Sequence, residues 1–369
     1  MTILALVIGI LLIIYLGMGL TFLVGHFMPA RKASSIKPLV SVIIAARNEE
    51  KNIVRCLETL VRQTYPVELL EIVVVNDRSD DGTDKMIEEF TAKHKTIKYI
   101  KIKEKPENVS GKKYALTQGI EESKGEILLF TDADCIVKES WVENMVAYFS
   151  DGIGAVIGFS SVESRNFFER WQEYDFHSLM AATCGITNVG FPLAASGQNL
   201  AYRRKAYDEV GGFERIKERM SGDDTLMIQL IRKHTKYRIV FASDPGTYNS
   251  TLPMGSLTEL IHQRSRWASN GTIMLRLNPF FFIYLVSVYA LHMLLFAGLV
   301  AGVFNPLLLI MTVFAWITKW VVDLAVSHSG FRLFHREFSF SLFMFWFITQ
   351  TPLIIWVGFK GTLGYFKWK

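Results

Sequence analysis

Cysteine is scarce in this sequence, and its three residues lie far apart. Cys56, Cys135 and Cys184 form neither a C-x-x-C motif nor an even-numbered framework, so the sequence predicts no disulfide scaffold. We expect them to be small core residues of a protein in a reducing compartment. A large excess of one charge is lacking as well, since the net charge is +5. Basic residues that contact anionic membrane lipid account for this value, and no nucleic-acid partner is predicted.

Glycine-rich phosphate loops are also missing. No G-x-G-x-x-G follows the first predicted strand, and no G-x-x-x-x-G-K-[ST] occurs in the chain. These absences exclude a dinucleotide-dependent dehydrogenase of the Rossmann type and a P-loop enzyme.

The first apolar run carries no charge. Residues 3–28 contain no Lys, Arg, Asp or Glu, and at about 1.5 Å per residue such a helix crosses a hydrocarbon core of roughly 30 Å. A cleaved signal peptide is the competing interpretation, but there is no basic n-region and no A-x-A site follows. The sequence therefore predicts a retained membrane anchor over residues 1–30.

Three further apolar runs near the C-terminus are each long enough to span a bilayer. They cover residues 280–304, 307–326 and 339–359. "FNP" separates the first two runs, and residues 327–337 separate the second from the third. Lys319 and Asp323 lie one turn apart in the middle run, so we expect them either to pair or to snorkel near one end. The runs predict about three transmembrane helices over residues 279–360, with a buried hydrophobic helical domain as the alternative.

Basic residues border the polar segment between the apolar runs. They are Arg31, Lys32 and Lys37 on the N-terminal side, and Arg264, Arg266 and Arg276 on the C-terminal side. The positive-inside rule therefore predicts an integral membrane protein of the bacterial inner (plasma) membrane, with the polar domain cytosolic and the N-terminus outside. Four spans would also leave the C-terminus outside, which conflicts with the basic tail of Lys360, Lys367 and Lys369. One C-terminal segment is then either re-entrant or flat in the membrane interface.

The polar segment alternates between strand and helix patterns. Apolar, β-branched runs predict strands over residues 39–46, 70–77, 97–102 and 126–134. Helical spacing predicts helices over residues 47–63 and 111–123, and residues 79–94 are predicted to form a turn that leads into a helix. Such alternation is typical of an α/β, doubly wound and mostly parallel sheet with right-handed crossovers. Ligands bind such sheets outside the carboxyl ends of the strands.

Polar and acidic residues follow three of these predicted strands. "AARNEE" ends the first, Asn76-Asp77 ends the second, and Asp132-x-Asp134 ends the fourth. A solvated edge explains any one of them, but three at the same edge predict one crevice for a nucleotide or phosphate ligand.

At this point the sequence resembles family 2 glycosyltransferases, the membrane-embedded inverting enzymes of the GT-A fold. Seven motifs between residues 41 and 267 carry the resemblance. In chain order they are "SVIIAARNEEKNI", "VVVNDRSDDGT", "GKKYAL", "FTDAD", "GQNLAYRRKAYDEVGGF", "SGDDTLMIQL" and "QRSRW".

The resemblance implies a divalent cation, Mg²⁺ or Mn²⁺, that bridges the diphosphate of a nucleotide-sugar donor. It makes Asp134 the direct metal ligand, while Asp132 contacts the ribose or a metal-bound water. Two carboxylates at a bend suit this chemistry, since hard oxygen ligands bind such cations and stabilise a leaving diphosphate. The alternative is an ordinary solvated turn.

The same resemblance assigns other donor contacts. Asp77 would hydrogen-bond the uracil edge, with Ala46 and Glu49 beside the base and ribose. Lys112 in "GKKYAL" would also serve the donor, unless it simply begins a helix and faces solvent.

The motif "SGDDTL" implies the catalytic base. Inversion requires a group opposite the leaving diphosphate that takes the proton of the acceptor hydroxyl. The resemblance makes this base Asp224, whereas Asp223 stands where the family more often has Glu. The alternative is that both aspartates only open the helix that follows.

The motif "QRSRW" implies that Gln263 and Arg266 contact the donor diphosphate. It also implies that the Trp267 ring lies beneath the acceptor sugar and contacts it. The alternative is a juxtamembrane basic-aromatic belt.

The expected protein is an inverting glycosyltransferase whose GT-A domain covers residues 37–275. It would move a sugar from a UDP-sugar to a lipid-linked or growing glycan acceptor at the cytosolic membrane face, with an export or polymerisation partner as an option. The alternatives are a processive synthase of the poly-N-acetylglucosamine type and a non-catalytic nucleotide-sugar-binding membrane subunit. "AASGQN" lacks the cysteine motif of processive cellulose-type synthases, which argues against long-chain extrusion.

Overall fold

Helices and strands cover most of residues 2–32 and 35–366, which are the residues that the computed structural model describes. The first half of the chain contains α1 (Thr2–His26), β1 (Val40–Ala46), α2 (Ile53–Val61), β2 (Leu70–Asp77), α3 (Thr83–Lys93), β3 (Ile97–Ile102), α4 (Gly111–Glu121), β4 (Ile127–Phe130), β5 (Ile136–Val137), α5 (Trp141–Val146), β6 (Ile153–Gly158), β7 (Ser160–Val162) and α6 (Phe167–Asn188). The second half contains β8 (Leu200–Arg203), α7 (Arg204–Glu209), α8 (Thr225–His234), β9 (Arg238–Ala242), β10 (Asn249–Thr251), α9 (Leu257–Ala268), α10 (Gly271–Leu277), α11 (Pro279–Gly302), α12 (Pro306–Leu333) and α13 (Phe340–Thr362). Lys367 and Lys369 of the basic tail lie outside the described residues.

The chain divides into two compact units. The α/β unit comprises Pro29–Glu163 and Gly190–Leu252. The helical unit comprises Met1–Met28, Ser164–Val189 and Pro253–Lys369. Packing thus groups α6 and α9 with the apolar helices, and the division into anchor, catalytic domain and C-terminal helices stays a prediction.

A seven-stranded, mostly parallel sheet forms the centre of the α/β unit, as predicted. Its strand order is β3-β2-β1-β4-β8-β6-β9, and β8 runs antiparallel to both of its neighbours. A second sheet of three short strands has the order β5-β10-β7. Parallel pairing sets Ala46 opposite Asn76, so the carboxyl ends of β1 and β2 meet at one edge of the sheet.

The central strands are buried on both faces. Val42, Ile43 and Ile44 of β1 are fully buried in succession, as are Val73, Val74 and Val75 of β2. Burying such a side chain stabilises the fold by about 1.5–3 kcal/mol. Consecutive burial confirms the prediction of parallel strands covered by helices on both sides.

Three predicted boundaries are wrong, and each error has a local cause. The strand predicted over 126–134 ends at Phe130, because Cys135 N donates to Asp132 O at 3.0 Å and closes a turn. The helix predicted from residue 47 begins at Ile53, since Asn48 has a positive φ of 56° that a helix does not allow. The predicted separator over 327–337 begins inside α12, which continues to Leu333.

Four of the described helices are long and apolar enough to cross a membrane, in agreement with the four predicted spans. They are Ile3–His26, Pro279–Gly302, Pro306–Leu333 and Phe340–Thr362. The helical unit therefore contains one such helix from the N-terminal end and three from the C-terminal end.

A buried polar cluster lies among these apolar helices. Lys319 Nζ contacts Asp323 Oδ2 at 2.5 Å and Gln350 Oε1 at 2.5 Å. The Tyr15 hydroxyl donates to Asp323 Oδ1, and the Lys319 ammonium lies 4.6 Å from the centre of the Phe347 ring. Lys319 and Asp323 are both buried, so they pair with each other rather than snorkel. The pair connects α12 with α1 and α13.

Removing one charge of this pair is expected to destabilise the helical unit more than removing both. Asp323→Leu leaves the Lys319 ammonium buried without its counter-ion, which costs about 3–5 kcal/mol. Lys319→Met combined with Asp323→Leu should recover most of that loss, because an apolar pair fills the same space. Thermal unfolding of the purified protein in detergent measures both variants. Equal stability of the single and double variants would contradict this account.

Candidate active site

Two loops at the carboxyl edge of the sheet are fastened to each other. Asn48 N donates to Ser79 Oγ at 3.0 Å, and Asp80 N donates to Asn48 Oδ1 at 3.0 Å. Glu49 N donates to Thr83 Oγ1 at 2.7 Å. These contacts fix the loop after β1 against the loop after β2. Of the residues predicted to flank the base and ribose, Ala46 is buried at the end of β1 and Glu49 lies in this fastened loop.

Asp77 at the end of β2 is buried and surrounded by positive charge. Arg78 Nε donates to Asp77 Oδ1 at 2.9 Å, and Arg47 Nη1 lies 3.9 Å from Asp77 Oδ2. A Cβ atom at Gly111 would lie 2.2 Å from Asp77 Oδ2, so the first residue of α4 approaches this carboxylate closely, and a larger residue would have to displace it. Asp77 is thus held in one position, with one oxygen facing the start of α4.

Asp132 and Asp134 occupy the turn after β4. Ala133 and Cys135 point into the core, whereas the two aspartates remain partly exposed. Asp132 Oδ1 accepts from Lys112 Nζ at 2.7 Å, and Cys135 Sγ donates to Asp134 Oδ1 at 3.6 Å. The two carboxylates thus alternate with buried residues, and both lie on the solvent side of the turn.

This turn suits a divalent cation that also takes coordinating oxygens from a bound substrate. Among the described residues, no group of three or more His, Cys, Asp or Glu side chains is arranged to hold a metal ion. Two carboxylates alone supply hard oxygen donors, and Mg²⁺ typically takes its remaining ligands from water and from substrate phosphates. The donor set thus suits a cation that binds together with a diphosphate.

Lys112 connects this turn to the acidic pair before α8. Its Nζ lies 2.7 Å from Asp132 Oδ1 and 3.1 Å from Asp223 Oδ2. Burial disfavours the Lys112 cation, but the charges of Asp132 and Asp223 outweigh burial and raise the pKa of Lys112. Burial likewise opposes ionisation of Asp223, and the charges of Lys112 and Lys113 nevertheless lower the pKa of Asp223. Lys112 and Asp223 are therefore both charged at neutral pH, and each compensates the charge of the other.

Asp224 is the N-cap of α8 and differs from its neighbour in its electrostatics. Its side chain accepts from Thr225 N, and its Oδ2 accepts from Gly197 N at 3.0 Å. Burial, with the adjacent charge of Asp223, raises the pKa of Asp224 to about 6. A fixed carboxylate with this pKa is charged at neutral pH and can still take up a proton, as a general base requires.

Lys113 is a residue that the sequence argument overlooked. It is buried, and its Nζ donates to Arg219 O at 2.6 Å and to Ser221 O at 2.9 Å. Burial lowers the pKa of Lys113 to about 8. These bonds hold the segment that carries the acidic pair. The sequence contains one indication of this role: Lys113 lies three residues before Leu116, which is buried. This spacing places Lys113 on the inner face of α4.

The start of α4 thus brings several predicted residues together. Gly111 contacts Asp77, Lys112 contacts Asp132 and Asp223, and Gly197 bonds to Asp224. Of these residues, Lys112, Asp132, Gly197 and Asp223 border one small pocket of the α/β unit, which Ala45, Thr131 and Tyr202 also line.

The residues of the "QRSRW" motif lie on α9 of the helical unit. Gln263, Arg266 and Trp267 are spaced by three and four residues, so they share one face of this helix. The guanidinium of Arg264 lies 4.3 Å from the centre of a Trp267 ring. This stacking also belongs to the features that the sequence argument did not anticipate.

Two family profiles match the chain. The profile described as "Glycosyl transferase family 2" matches residues 41–211. The profile described as "Glycosyl transferase family group 2" matches residues 127–358 and therefore covers more than half of the chain.

Curated relatives agree with these profiles. Glycosyltransferase AglE of Haloferax volcanii is 30% identical over 230 residues, which cover 61% of this chain and 71% of AglE. The beta-monoglucosyldiacylglycerol synthase of Trichormus variabilis is 27% identical over 245 residues, which cover 63% of this chain and 49% of the synthase. The chain thus spans about half the length of that synthase.

A solved structure shares the fold. It is the mannosyltransferase PcManGT of Pyrobaculum calidifontis, in complex with GDP-Man and Mn²⁺. The alignment covers 97% of this chain and 98% of PcManGT, with a TM-score of 0.64 and 21% sequence identity. The α/β fold with its mostly parallel sheet is therefore that of GT-A glycosyltransferases, and this chain is an enzyme that belongs to glycosyltransferase family 2.

Proposed function

We propose that this protein is an inverting glycosyltransferase that moves a sugar from a UDP-sugar to a lipid-linked or growing glycan acceptor. The observation that carries the proposal is the capped Asp224 carboxylate, with a pKa near 6, beside the compensated group of Lys112, Asp132 and Asp223. A nucleotide-sugar-binding subunit without activity would not need a carboxylate with this pKa at that position.

The proposed reaction is a single displacement. The acceptor hydroxyl oxygen forms a bond to the anomeric carbon while the bond from that carbon to the diphosphate oxygen breaks. Asp224 takes the hydroxyl proton, and the bonding electrons leave with UDP. Asp77 holds the uracil, with Ala46 and Glu49 beside the base and ribose. Gln263 and Arg266 bind the diphosphate, and Trp267 lies under the acceptor.

Asp134, supported by Asp132, would hold Mg²⁺ or Mn²⁺ together with the donor diphosphate. The cation would supply positive charge against the charge that develops on the leaving group. Lys112 pairs with Asp132 before the donor arrives, and its ammonium would add positive charge beside the diphosphate when the donor is bound. PcManGT, which shares the fold, is described with Mn²⁺.

We further propose that residues 1–30 anchor the protein, residues 37–275 form the catalytic domain, and residues 279–360 form membrane helices. The basic residues Arg31, Lys32 and Arg276 beside these helices favour a cytosolic catalytic domain at a bacterial inner membrane. A lipid acceptor fits the apolar helices, and the relative from Trichormus variabilis is named for glucosylation of diacylglycerol. Transfer to a growing polysaccharide is the alternative, and product length on a gel distinguishes the two.

A donor and acceptor screen with a base variant tests this function. Purified protein, supplied with Mn²⁺ and total membrane lipid, should release UDP from one of several UDP-sugars. Asp224→Asn should abolish release by at least about 100-fold while donor binding, measured by calorimetry, is kept. Asp208→Asn, an exposed change on α7, is the matched control and should stay active. Full turnover by Asp224→Asn would refute the base assignment, and preference for GDP-sugars would refute the uracil contact.

Activity should fall as the pH decreases through about 6. Burial raises the pKa of Asp224 to about 6, so the base is progressively protonated, and inactive, below that pH. The measurement is kcat/KM for UDP release between pH 4.5 and 8.5, with the fold checked at each pH. Constant activity down to pH 4.5 would show that no group with this pKa acts as the base.

The two aspartates of the turn should differ in their contribution. Asp134→Ala, as loss of the direct ligand, should lower metal-dependent activity by about 100- to 1000-fold. Asp132→Ala, as loss of a supporting group already neutralised by Lys112, should lower it by about 10- to 100-fold. Electron paramagnetic resonance of Mn²⁺ gives a second readout, because binding should be weak until donor is added. The reverse order of the two variants would refute this division of roles.

A further inference from the structure

A chain of polar contacts joins three helices of the helical unit beside Trp267. Arg264 Nη2 of α9 donates to Asp175 Oδ2 of α6 at 2.5 Å. The other oxygen of that carboxylate, Oδ1, accepts from Nε1 of Trp346 in α13 at 3.0 Å. All three side chains are buried. Each oxygen of Asp175 therefore binds a different helix.

Among the described residues, Asp175 is the hydrogen-bond partner that orients the Arg264 guanidinium. Nε and Nη1 of Arg264 are buried and have no hydrogen-bond partner within residues 2–32 and 35–366. A buried guanidinium without a counter-ion is strongly unfavourable. The Asp175 carboxylate is therefore the contact that keeps this guanidinium in place.

The Arg264 guanidinium in turn supports Trp267. Its central carbon lies 4.3 Å from the centre of a Trp267 ring and 6.0 Å from the Phe176 ring. The rings of Phe176 and Trp267 lie 6.3 Å apart. Cation–π attraction strengthens when the cation is desolvated, as it is here. The position of the indole thus depends on α6 through both Asp175 and Phe176.

The backbone of α9 is fixed against α13 on both sides of Trp267. A Cβ atom at Gly361 of α13 would lie 2.6 Å from the carbonyl oxygen of Ser265 and 2.8 Å from Cβ of Ala268. Only glycine permits this approach. The helix that carries Trp267 therefore has little freedom to slide along α13.

We propose that Asp175, Arg264 and Trp346 are positioning residues for the acceptor. They hold the indole of Trp267 at a fixed place relative to α6 and α13, and through it the acceptor sugar or lipid headgroup. The inference rests on the proposed function, in which Trp267 meets the acceptor. The position of Trp267 is then set within the helical unit, by α6 and α13.

A spectroscopic experiment tests the positioning step without any acceptor. The full chain is labelled with 5-fluorotryptophan in detergent, and Trp267→Phe identifies the fluorine resonance of Trp267. Asp175→Asn and Arg264→Met should each shift and broaden that resonance. Arg170→Lys, an exposed change on the same helix as Asp175, should leave it in place. An unmoved Trp267 resonance in both variants would overturn the proposal.

A kinetic experiment tests the consequence for transfer. Radiolabelled UDP-sugar and total membrane lipid report transfer, and UDP release without lipid reports donor hydrolysis. Asp175→Asn should lower transfer by about 10- to 100-fold through misplacement of the acceptor, with hydrolysis unchanged. Equal loss of both activities would overturn the proposal. Trp346→Phe removes one donor to Asp175 and replaces Asp175→Asn if the latter does not fold.

A double-mutant comparison shows whether the two residues act through each other. On a Trp267→Ala background, Asp175→Asn should cause no further loss of transfer, because the side chain that it positions is already gone. A further loss of the same size would overturn the proposal. Wild-type transfer by Trp267→Ala would instead refute the acceptor role of Trp267, and the fluorine experiment would still decide whether Asp175 holds the indole.

Discussion

Compensation of the carboxylates by Lys112 is the constraint on which the rest of the α/β unit depends. A mostly parallel sheet delivers the residues after its strands to one edge, and here that edge receives several aspartates. One ammonium, shared between Asp132 and Asp223, offsets their repulsion. Burial, with the adjacent charge of Asp223, raises the pKa of Asp224, whereas burial of Asp223 is outweighed by the charges of Lys112 and Lys113, which lower the pKa of Asp223. Two adjacent aspartates, Asp223 and Asp224, thus have pKa values that are shifted in opposite directions.

Charge compensation shapes the helical unit in a different way. Apolar helices in lipid have no hydrophobic driving force between them, so packing and polar contacts decide which faces meet. Lys319 and Asp323 connect α12 to Tyr15 of α1 and Gln350 of α13. The bond between Asp175 and Arg264 similarly joins α6 to α9. Each of these buried charges is paired with another in the same unit, and each pair joins the helices that carry its partners.

Much of the fold follows from local sequence patterns, and the errors concentrate at the functional edge. β2 and β3 have the predicted bounds, because continuous apolar runs need only a sheet to bury them. At the carboxyl edge the backbone bonds instead to side chains about thirty residues away, as Asp80 N does with Asn48 Oδ1. No periodicity within one segment contains that information. The same edge is where polar side chains must face a ligand. The irregular backbone and the functional residues therefore lie in the same place.

The two lysines at the start of α4 show why part of the site cannot be predicted from the sequence. The motif resemblance predicts a role for Lys112 but none for Lys113, although both residues belong to "GKKYAL". Successive helical residues point about 100° apart, so one ammonium faces the carboxylates while the other faces the carbonyls of residues 219 and 221. Those carbonyls lie more than 100 residues further along the chain, and only the tertiary fold brings them to Lys113. The acidic pair therefore depends on α4 twice, once through the charge of Lys112 and once through the backbone that Lys113 holds.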